Sequence, residues 1–370
     1  MAVQAKLNPP FRAEHIGSLL RPAELVAAFR ERARGNLSEA AYHQLEDRLI
    51  LDAIRMQEEV GLQSISDGEY RRSSWAYGFV EALDGFVNRP SPWPFHDDAG
   101  QEYPIETCHA AGRLRRRRGI ATPEFEFVRA HTARTPKVTI PSPSFMHFFQ
   151  GGRAADPAAY PDPEEFWDDL LRIYEKEIAA LGKIGASWLQ IDEVPQAMLC
   201  DPKIREQVRA FGEDPERLTQ KYIDAVNRIL KARPAGMTVG MHMCRGNFRS
   251  RWLAAGGYDA VAERLFNEVE VDGFFLEYDS ARAGGFEPLR FMPRHKFAVL
   301  GIISTKTPVL EDRDSLRRRV DEAARFMPFE RLAISPQCGF ASTAGGNQIT
   351  PEDQRAKLRL VVETAAAIWG

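Results

Sequence analysis

The chain is poor in cysteine, and its few cysteines lie far from one another. Only four occur in 370 residues, at positions 108, 200, 244 and 338. This spacing is not that of a disulfide framework, nor of a structural zinc module, in which ligands come in close pairs. Residues 1–10 also lack the apolar core of a secretory signal peptide. We therefore expect reduced cysteines and a cytoplasmic protein.

Long apolar runs and a large excess of one charge are also missing. Apolar stretches such as 297–303 fall well short of the ~18–20 residues that a transmembrane helix needs. The formal net charge is only −3, so neither a nucleic acid nor a membrane is indicated as a partner. The arginine-rich stretch 113–119 is an exception, and its shortness favours a solvated surface strand or loop. Small molecules are therefore the expected partners.

Buried strands are indicated by eight short segments that are rich in β-branched and apolar residues. Most of them are followed by a helical pattern, as in a parallel sheet covered by helices. The segments are residues 14–18, 63–69, 137–143, 188–193, 238–244, 273–279, 297–303 and 332–338.

Three long helices have clear boundary signals. The periodic stretch 37–61 is predicted to be capped by Ser38 and to end at Gly61. The stretch 162–182 has a proline near its first position and acidic residues in its first turn. A similar Thr-Pro-Glu opening begins the stretch 350–370.

The alternation of strands and helices predicts an α/β fold, a TIM (β/α)₈ barrel, although the length alone would also suit two domains. We expect residues 1–370 to form one catalytic barrel. The stretch of about 80–136 breaks the alternation, and we interpret it as an excursion between the second and third strands. Its last part, 122–132, is predicted to be the helix that returns the chain to the barrel.

Polar and ligand-type side chains are concentrated at the carboxyl ends of the predicted strands. In a barrel these ends converge on one face, where the chemistry is found. The residues are Ser18, Glu69, Asp192, His242, Cys244, Glu277 and Cys338.

His242 and Cys244 are two residues apart on a strand, so their side chains point to the same side. Imidazole nitrogen and thiolate sulfur both suit Zn²⁺. A core cysteine beside a hydrogen-bonded histidine is the alternative, and for an isolated pair it would be preferred. Glu277 and Cys338, at the ends of two other predicted strands, can supply the remaining ligands. Ligands from three strands suggest a site that can exchange one of them for substrate.

Five short motifs together resemble the catalytic barrel of cobalamin-independent methionine synthase. They are HIGS (15–18), DGE (67–69), QIDE (190–193), HMC (242–244) and CG (338–339). The similarity covers nearly the whole chain. It is strongest to the short, single-barrel branch of that family, which carries HIGSLLRP, DGEYRRS and HMCRGN.

The resemblance implies a methyl transfer to homocysteine that gives methionine, with one zinc ion per chain. Its zinc ligands would be His242, Cys244, Glu277 and Cys338. The amino-acid part of the thiol substrate would be held by Ile16, Gly17, Ser18, Glu69 and Asp192. Carboxylates suit an α-ammonium group, while the backbone and hydroxyl around Ser18 suit a carboxylate. Alternatively, Gly17 only permits a tight turn and Asp192 caps a helix.

The chemistry that the resemblance implies is thiolate alkylation. A thiol bound to zinc loses its proton near neutral pH and remains nucleophilic. Glu277, the hardest of the four ligands, is the one expected to leave or move when the substrate sulfur binds.

The chain departs from the family pattern on the side of the methyl donor. It has room for one barrel rather than two, and Ile303 stands where the synthase has its proton-donating histidine. Ala197 and Met198 occupy the place of an acidic residue. The tryptophan that stacks on folate has no counterpart, and only Phe148 or Phe149 is near. His147 is an alternative acid, although a lone histidine in such a run is more often structural.

These departures weaken the prediction of a methyl-folate donor, because its nitrogen must be protonated to leave. A methyl-corrinoid or another activated methyl compound needs no such acid. Thiol addition to an epoxide, as in epoxyalkane:coenzyme M transferase, is an alternative in which Arg245 and Arg249 would hold an anionic thiol. A zinc hydrolase and a metal- or thiol-binding protein without catalysis are further alternatives.

Overall fold

The computed structural model describes residues 10–370. The stretch 1–10, for which no signal peptide is predicted, lies largely outside the described residues. The strands are β1 Ser64–Ile65, β2 Leu83–Pro90, β3 Phe95–His96, β4 Glu102–Tyr103, β5 Glu106–Arg116, β6 Thr135–Pro136, β7 Val138–Pro141, β8 Trp188–Glu193, β9 Thr238–Met243, β10 Gly273–Glu277, β11 Phe297–Ile303 and β12 Leu332–Pro336. The α-helices are α1 Ala23–Ala33, α2 Glu39–Val60, α3 Tyr77–Val80, α4 Thr122–His131, α5 Phe145–Phe148, α6 Pro163–Lys183, α7 Pro195–Met198, α8 Pro202–Ala210, α9 Pro215–Leu230, α10 Asp259–Glu268, α11 Arg313–Ala323 and α12 Pro351–Trp369. Short 3₁₀ turns lie at Ala281–Ala283, Glu287–Phe291 and Phe329–Arg331.

The predicted helix boundaries are confirmed by their caps. The Ser38 hydroxyl accepts a hydrogen bond from the Ala41 amide at the start of α2, and Gly61 ends that helix in the left-handed region, with φ 100°. At the start of α12, Thr350 and Asp353 form a reciprocal capping box.

The main sheet is parallel and has six strands in the order β7-β8-β9-β10-β11-β12. The order of the strands in the sheet is their order in the chain, and α-helices connect most of them. The bounds of β8 and β11 are those that the apolar runs predict, 188–193 and 297–303. The structure is therefore an α/β fold with a parallel sheet, as expected.

Further parallel contacts continue the sheet on both flanks. β1 pairs with β6 beside β7, and the Lys137 amide donates to the carbonyl of Ile65. On the other flank, Ala13 makes a parallel bridge to Ile334 of β12. The carbonyl of Gly17 accepts from the Ser66 hydroxyl, so the first segment also contacts the region of β1.

Two predicted strands are wrong in extent. Residues 14–18 form no strand, and their only bridge precedes them at Ala13. The prediction of a strand over 63–69 holds only for Ser64–Ile65, because Gly68 and Glu69 have φ values of 71° and 60°. A positive φ is incompatible with extended backbone, so the chain turns where its side chains face the site.

The predicted excursion consists mainly of antiparallel structure. β2 pairs with β5, and the short strands β3 and β4 form a hairpin between them. The arginine-rich stretch includes the end of β5, and this confirms a surface strand. Arg113 there pairs with Glu165 and Arg116 with Glu177, both on α6. These arginines are therefore used for packing the excursion on the helix layer.

A core of large side chains fills the inside of the sheet away from the predicted site. Trp188 packs on Phe275 and Phe297, with ring centroids 5.9 and 6.1 Å apart. Below them the buried Glu14 accepts from the Trp188 indole and from the Lys137 ammonium, each at 3.2 Å. These packed side chains hold the strands together at the ends opposite to those that carry the predicted site. No helix within residues 10–370 combines the length and apolar character that crossing a bilayer requires.

Candidate functional site

The parallel register brings the predicted site residues to one edge of the sheet. Asp192 on β8 is paired with His242 on β9, and Glu277 ends β10. Cys244 follows β9 directly, and Cys338 lies two residues beyond β12. Because parallel strands all end on the same side, these residues meet as the sequence predicts.

Three of the four predicted metal ligands converge. Ligand atoms of His242, Cys244 and Cys338 all lie within 4.8 Å of one another, and the three residues are buried. The two Sγ atoms are 3.8 Å apart. Two thiolates on a tetrahedral zinc ion, with Zn–S bonds of about 2.3 Å, would be separated by about 3.8 Å. The donor set and its spacing therefore fit zinc.

The histidine supports the same interpretation. His242 is only 3% exposed, and neither of its ring nitrogens has a hydrogen-bond partner of ordinary geometry among the described residues. Leaving a buried polar group unpaired costs about 1–3 kcal/mol, so such a group usually has a function. A histidine held as a structural core residue would be hydrogen-bonded in ordinary geometry, whereas the polar contact of His242 is with Cys338 of the same cluster. A metal ion would satisfy one of its two ring nitrogens.

The thiols of Cys244 and Cys338 have their pKa values shifted in opposite directions. A hydrogen bond from Cys244 lowers the pKa of Cys338 well below its usual range, and His242 and Lys306 add to the effect. The same contact with Cys338 raises the pKa of Cys244. The cluster therefore already stabilises one thiolate, which is the form that binds a metal.

Glu277 stands apart from the three converging residues. Its Oε1 lies 3.1 Å from the ammonium of Lys306, and its Oε2 accepts from the Arg245 amide at 2.5 Å. Burial by itself would raise the pKa of Glu277, but the charges of Lys306 and Arg245 outweigh it and lower the pKa to about 2. The carboxylate is thus charged and held beside the cluster. Sequence reasoning missed Lys306, which no motif marks.

The predicted amino-acid site shares one cavity with the metal cluster. Ile16, Ser18, Glu69 and Asp192 line a cavity of about 450 Å³ together with the three converging residues. This volume is in the range of small-molecule sites. The predicted thiol-binding and metal-binding residues therefore face the same space.

Glu69 has an unusual backbone and an unsatisfied oxygen. Its φ of 60° is strained for a residue with a side chain, and such strain is concentrated at functional sites. Oε1 accepts from the Thr139 hydroxyl at 2.8 Å, whereas the buried Oε2 has no partner among the described residues. Burial raises the pKa of Glu69, and it raises that of Asp192 to about 7. The Arg72 guanidinium lies 3.7 Å from Oε1 of Glu69, so the unpaired Oε2 is the oxygen open to a further donor.

Gly17 contributes space rather than a ligand atom. A Cβ at this position would lie 2.8 Å from Oε1 of Glu69 and 2.8 Å from Cγ2 of Thr139. The backbone there has φ 144°, which also favours glycine. Gly339, which follows Cys338, is similar because a Cβ would lie 1.8 Å from the Ser18 hydroxyl. The two glycines therefore let the binding residues approach one another.

Aromatic rings form the rest of the cavity wall. They belong to Trp75, Tyr77, Phe95, Phe145, Phe149 and Phe248. Sequence reasoning found only Phe149 of this group. Trp75 follows the DGE motif closely, so its place after a strand end was a usable signal. Phe95 had none, because it reaches the cavity through the packing of the excursion.

Several predicted donor-side residues lie elsewhere. Arg245 is fully buried, donates to the carbonyls of Gly256 and Ala283, and lies outside the cavity wall, as does Arg249. Neither is therefore placed to hold an anionic thiol in the cavity. Phe148 stacks on Trp93 with ring centroids 5.0 Å apart.

His147 is also outside the cavity. Its Nδ1 pairs with the Tyr222 hydroxyl at 2.9 Å. Burial lowers the pKa of His147 to about 3. The structural interpretation of this histidine is therefore favoured, and its proposed use as a substitute acid is wrong.

Comparison with known families gives one match that covers more than half of the chain. Residues 156–367 match the family described as the catalytic domain of cobalamin-independent synthase. The matched range contains Asp192, His242, Cys244 and Cys338.

Similar proteins align over nearly the full length. The uncharacterized protein YxjH of Bacillus subtilis is 41% identical over 97% of this chain and 95% of its own. Methionine synthase of Pyrococcus furiosus is 26% identical, over 88% of this chain and 84% of its own. A solved structure from Listeria monocytogenes, provisionally identified as a vitamin-B12 independent methionine synthase, has a TM-score of 0.75 at 32% identity and covers 98% of both chains.

Proposed function

Since this chain belongs to the family of cobalamin-independent synthase catalytic domains, we propose that it is a zinc-dependent methyltransferase that converts homocysteine to methionine. The observation that carries the proposal is the buried cluster of His242, Cys244 and Cys338, which faces the same cavity as Glu69. A thiol can therefore meet a metal ion and a counter-charge for its ammonium group in one space.

In this proposal His242, Cys244 and Cys338 hold the zinc ion, and Glu277 is the fourth ligand that gives way to substrate. Bound there, zinc would lower the pKa of a substrate thiol so that it reacts as a thiolate. Two cysteine ligands reduce the net charge of the site, which favours thiolate chemistry over activation of water. A hydrolase is therefore the weaker interpretation.

The amino-acid part of homocysteine is assigned to the polar side of the cavity. Its ammonium would lie against Glu69 and Asp192, whose pKa values are raised by burial. The unpaired Oε2 of Glu69 is the best placed acceptor. Its carboxylate would lie near the backbone of Ile16 and Gly17 and the hydroxyl of Ser18. An ammonium group beside them would favour the charged form of both carboxyls.

The chain's own contribution to the reaction is positioning and exclusion of water. Strand ends fix the ligands and carboxyls, and the aromatic walls exclude solvent from the nucleophile. The thiolate sulfur forms a bond to the methyl carbon while the bond to the leaving group breaks, and its electron pair goes to that group. Ile303 and His147 both lie outside the cavity wall. A donor that leaves without a proton is therefore favoured.

We also propose that residues 1–370 form one closed (β/α)₈ barrel, with the excursion of about 80–136 as its insertion. Support comes from the bridge of Ala13 to β12 and the pairing of β1 with β6. The hydrogen bond from the Ser66 hydroxyl to the Gly17 carbonyl would join the first segment to the region of β1 and so close the ring of strands. The four cysteines are free and buried, which agrees with a reducing compartment such as the cytoplasm.

The test is metal content compared between matched cysteine variants. Cys244→Ser and Cys338→Ser should each lose most of the roughly one zinc per chain expected of a single site. Cys200→Ser is the control, because Cys200 is equally buried but donates only to the Gln196 carbonyl. Homocysteine added to the Co²⁺-substituted protein should increase the thiolate-to-metal absorption that Cys244 and Cys338 already give, because a third thiolate then binds the metal. Full zinc retention in both site variants would refute the proposed centre.

A further inference from the structure

The cavity wall has an unusual charge pattern for a methyltransferase. Within residues 10–370, no lysine or arginine is among the residues that line it, whereas Glu69, Glu106 and Asp192 are. His242 is the only histidine on the wall in that part of the chain. Burial further raises the already high pKa of Tyr77, which also faces the space. The cavity thus offers neither a cation for an anionic donor nor a general acid for its leaving group.

The aromatic rings form two groups on the wall. In the first, Phe145 lies 4.9 Å from Trp75 and 4.9 Å from Phe149 between ring centroids. In the second, Phe95 lies 5.3 Å from Phe248. Ring faces that line a space are favourable surroundings for a quaternary ammonium or sulfonium group.

The second group lies close to the proposed nucleophile. A Cβ on Gly246 would be 3.0 Å from Cε1 of Phe95, and Gly246 is two residues after Cys244. The excursion therefore brings an aromatic ring directly against the loop that follows the metal ligand. A methyl group held by this ring would be near the substrate sulfur.

Glu106 adds a negative charge to the aromatic side. It lies at the start of β5 in the excursion and lines the cavity. Glu106 is exposed, and its carboxylate makes no side-chain hydrogen bond or ion pair within the described part of the chain, so it is open to solvent and to a ligand. A ligand cation is a partner that this carboxylate can take.

We propose that the methyl donor is an onium compound, either a methylsulfonium or a methylated quaternary ammonium. It would be held by the two groups of aromatic rings, the one that contains Trp75 and the one that contains Phe95, together with the carboxylate of Glu106. This inference rests on the proposed function and specifies its donor. Anionic donors such as a polyglutamylated folate are disfavoured because no lysine or arginine of residues 10–370 lines the wall to pair with them.

The chemistry balances without an acid. The homocysteine thiolate attacks the methyl carbon and forms a carbon–sulfur bond. The bond from that carbon to the positive sulfur or nitrogen breaks, and its electron pair stays on the leaving atom. An anion and a cation become two neutral products, so a poorly solvated aromatic cavity favours the transition state over the separated charges. No proton donor is required.

Binding without turnover is the first test. Choline and its neutral isostere 3,3-dimethylbutan-1-ol are compared on the zinc-loaded full chain by saturation-transfer NMR. Choline should bind roughly tenfold more tightly, the effect of one or two cation–π contacts. Trp75→Phe should keep this preference, and Trp75→Leu should lose most of it. The control is Phe329→Leu, whose ring stacks on Trp369 and does not line the cavity. Equal binding of the two probes to the wild-type chain would overturn the proposal.

Methyl transfer is the second test. Zinc-loaded protein with homocysteine is given deuteromethylated S-methylmethionine, glycine betaine, methyltetrahydrofolate or methylcobalamin, and labelled methionine is measured. Transfer from the sulfonium or the ammonium compound, but not from the folate, is expected. Transfer only from the folate or the corrinoid overturns the onium inference alone. No increase of the thiolate-to-cobalt band on addition of homocysteine would instead refute the proposed function, so the two failures are distinguishable.

Discussion

The ammonium nitrogen of Lys306 lies 3.1 Å from Oε1 of Glu277, and both side chains are almost completely buried. The carboxylate is therefore already paired at the place where the family resemblance calls for a metal ligand. A ligand with a second partner close by can leave the metal at little cost. We infer that Lys306 makes Glu277 the exchangeable ligand of the site.

Removing the lysine should trap that ligand. We predict that Lys306→Met binds zinc roughly tenfold more tightly, because the Glu277 carboxylate no longer shares its charge with the lysine. The size is at the lower end of the effect of residues that contact ligands, but its sign is opposite to the usual loss. Homocysteine should bind more weakly, because Glu277 then competes for the metal. Chelator competition and calorimetry measure the two affinities. Lys221→Met, which removes an ion pair with Glu164 away from the cavity, is the control. Unchanged zinc affinity in Lys306→Met would show that Glu277 is not a ligand.

Neutralising the carboxyls should separate thiol recognition from metal binding. Glu69→Gln and Asp192→Asn should each weaken homocysteine binding by roughly 10- to 100-fold, the cost of one lost charge-assisted hydrogen bond. Zinc content should stay near that of the wild type. Calorimetric titration with homocysteine and metal analysis check both points. Unchanged affinity in both variants would mean that the acceptor is not an amino acid.

A methyl group at position 17 should act through Glu69. In Gly17→Ala the new Cβ would lie 2.8 Å from Oε1 of Glu69, so the carboxyl must move and homocysteine binding should weaken as in Glu69→Gln. Gly35→Ala is a matched control because Gly35 has φ 75° and no atom within 4 Å of the new Cβ. It carries backbone strain without the clash. Equal homocysteine affinities in the two variants would leave Gly17 with a turn-forming role only.

Acid sensitivity should depend on His147. Burial lowers the pKa of His147 to about 3, whereas an unfolded chain has roughly 6.5. The unfolded state therefore binds more protons between these values, and stability present above pH 6.5 is lost as the pH falls, by about 1 kcal/mol per unit. Urea unfolding at pH 5.0–7.5 measures the slope. In His147→Asn it should be shallower, whatever the variant's stability at pH 7.5. The same slope in both proteins would contradict the prediction.

Methyltetrahydrofolate should be a poor donor. Without a general acid, turnover should be slower by about 10²–10⁴ than in an enzyme that has one. Ile303→His is not expected to restore it, since Ile303 is fully buried and outside the cavity wall. A side-by-side assay of wild type and variant at equal zinc loading provides the measurement. Rapid folate-dependent methionine formation by the wild type would show that another group supplies the proton.

The sequence predicts best those features that depend on local pattern. The apolar runs gave β8 and β11 their exact bounds, and the His-x-Cys spacing placed two ligands on one side of a strand. The strand predicted around Gly17 does not form. The backbone there has a positive φ and lies close to the side chains of Glu69 and Thr139. Phe95 and the pairing of Lys306 with Glu277 were out of reach. Both depend on where distant parts of the chain meet, which no local periodicity encodes.

The cavity is lined by two separate parts of the chain, the ends of the main sheet and the excursion. Its proposed metal ligands lie at or just beyond the ends of strands of the main sheet, whereas Phe95 on β3 and Glu106 on β5 belong to the excursion, outside that sheet. The excursion is tied to the rest of the molecule by the bond from the Ala110 amide to the Ala154 carbonyl and by the ion pair of Arg116 with Glu177. A sequence change within it would therefore alter the aromatic side of the cavity, while the residues at the ends of the main sheet keep their register.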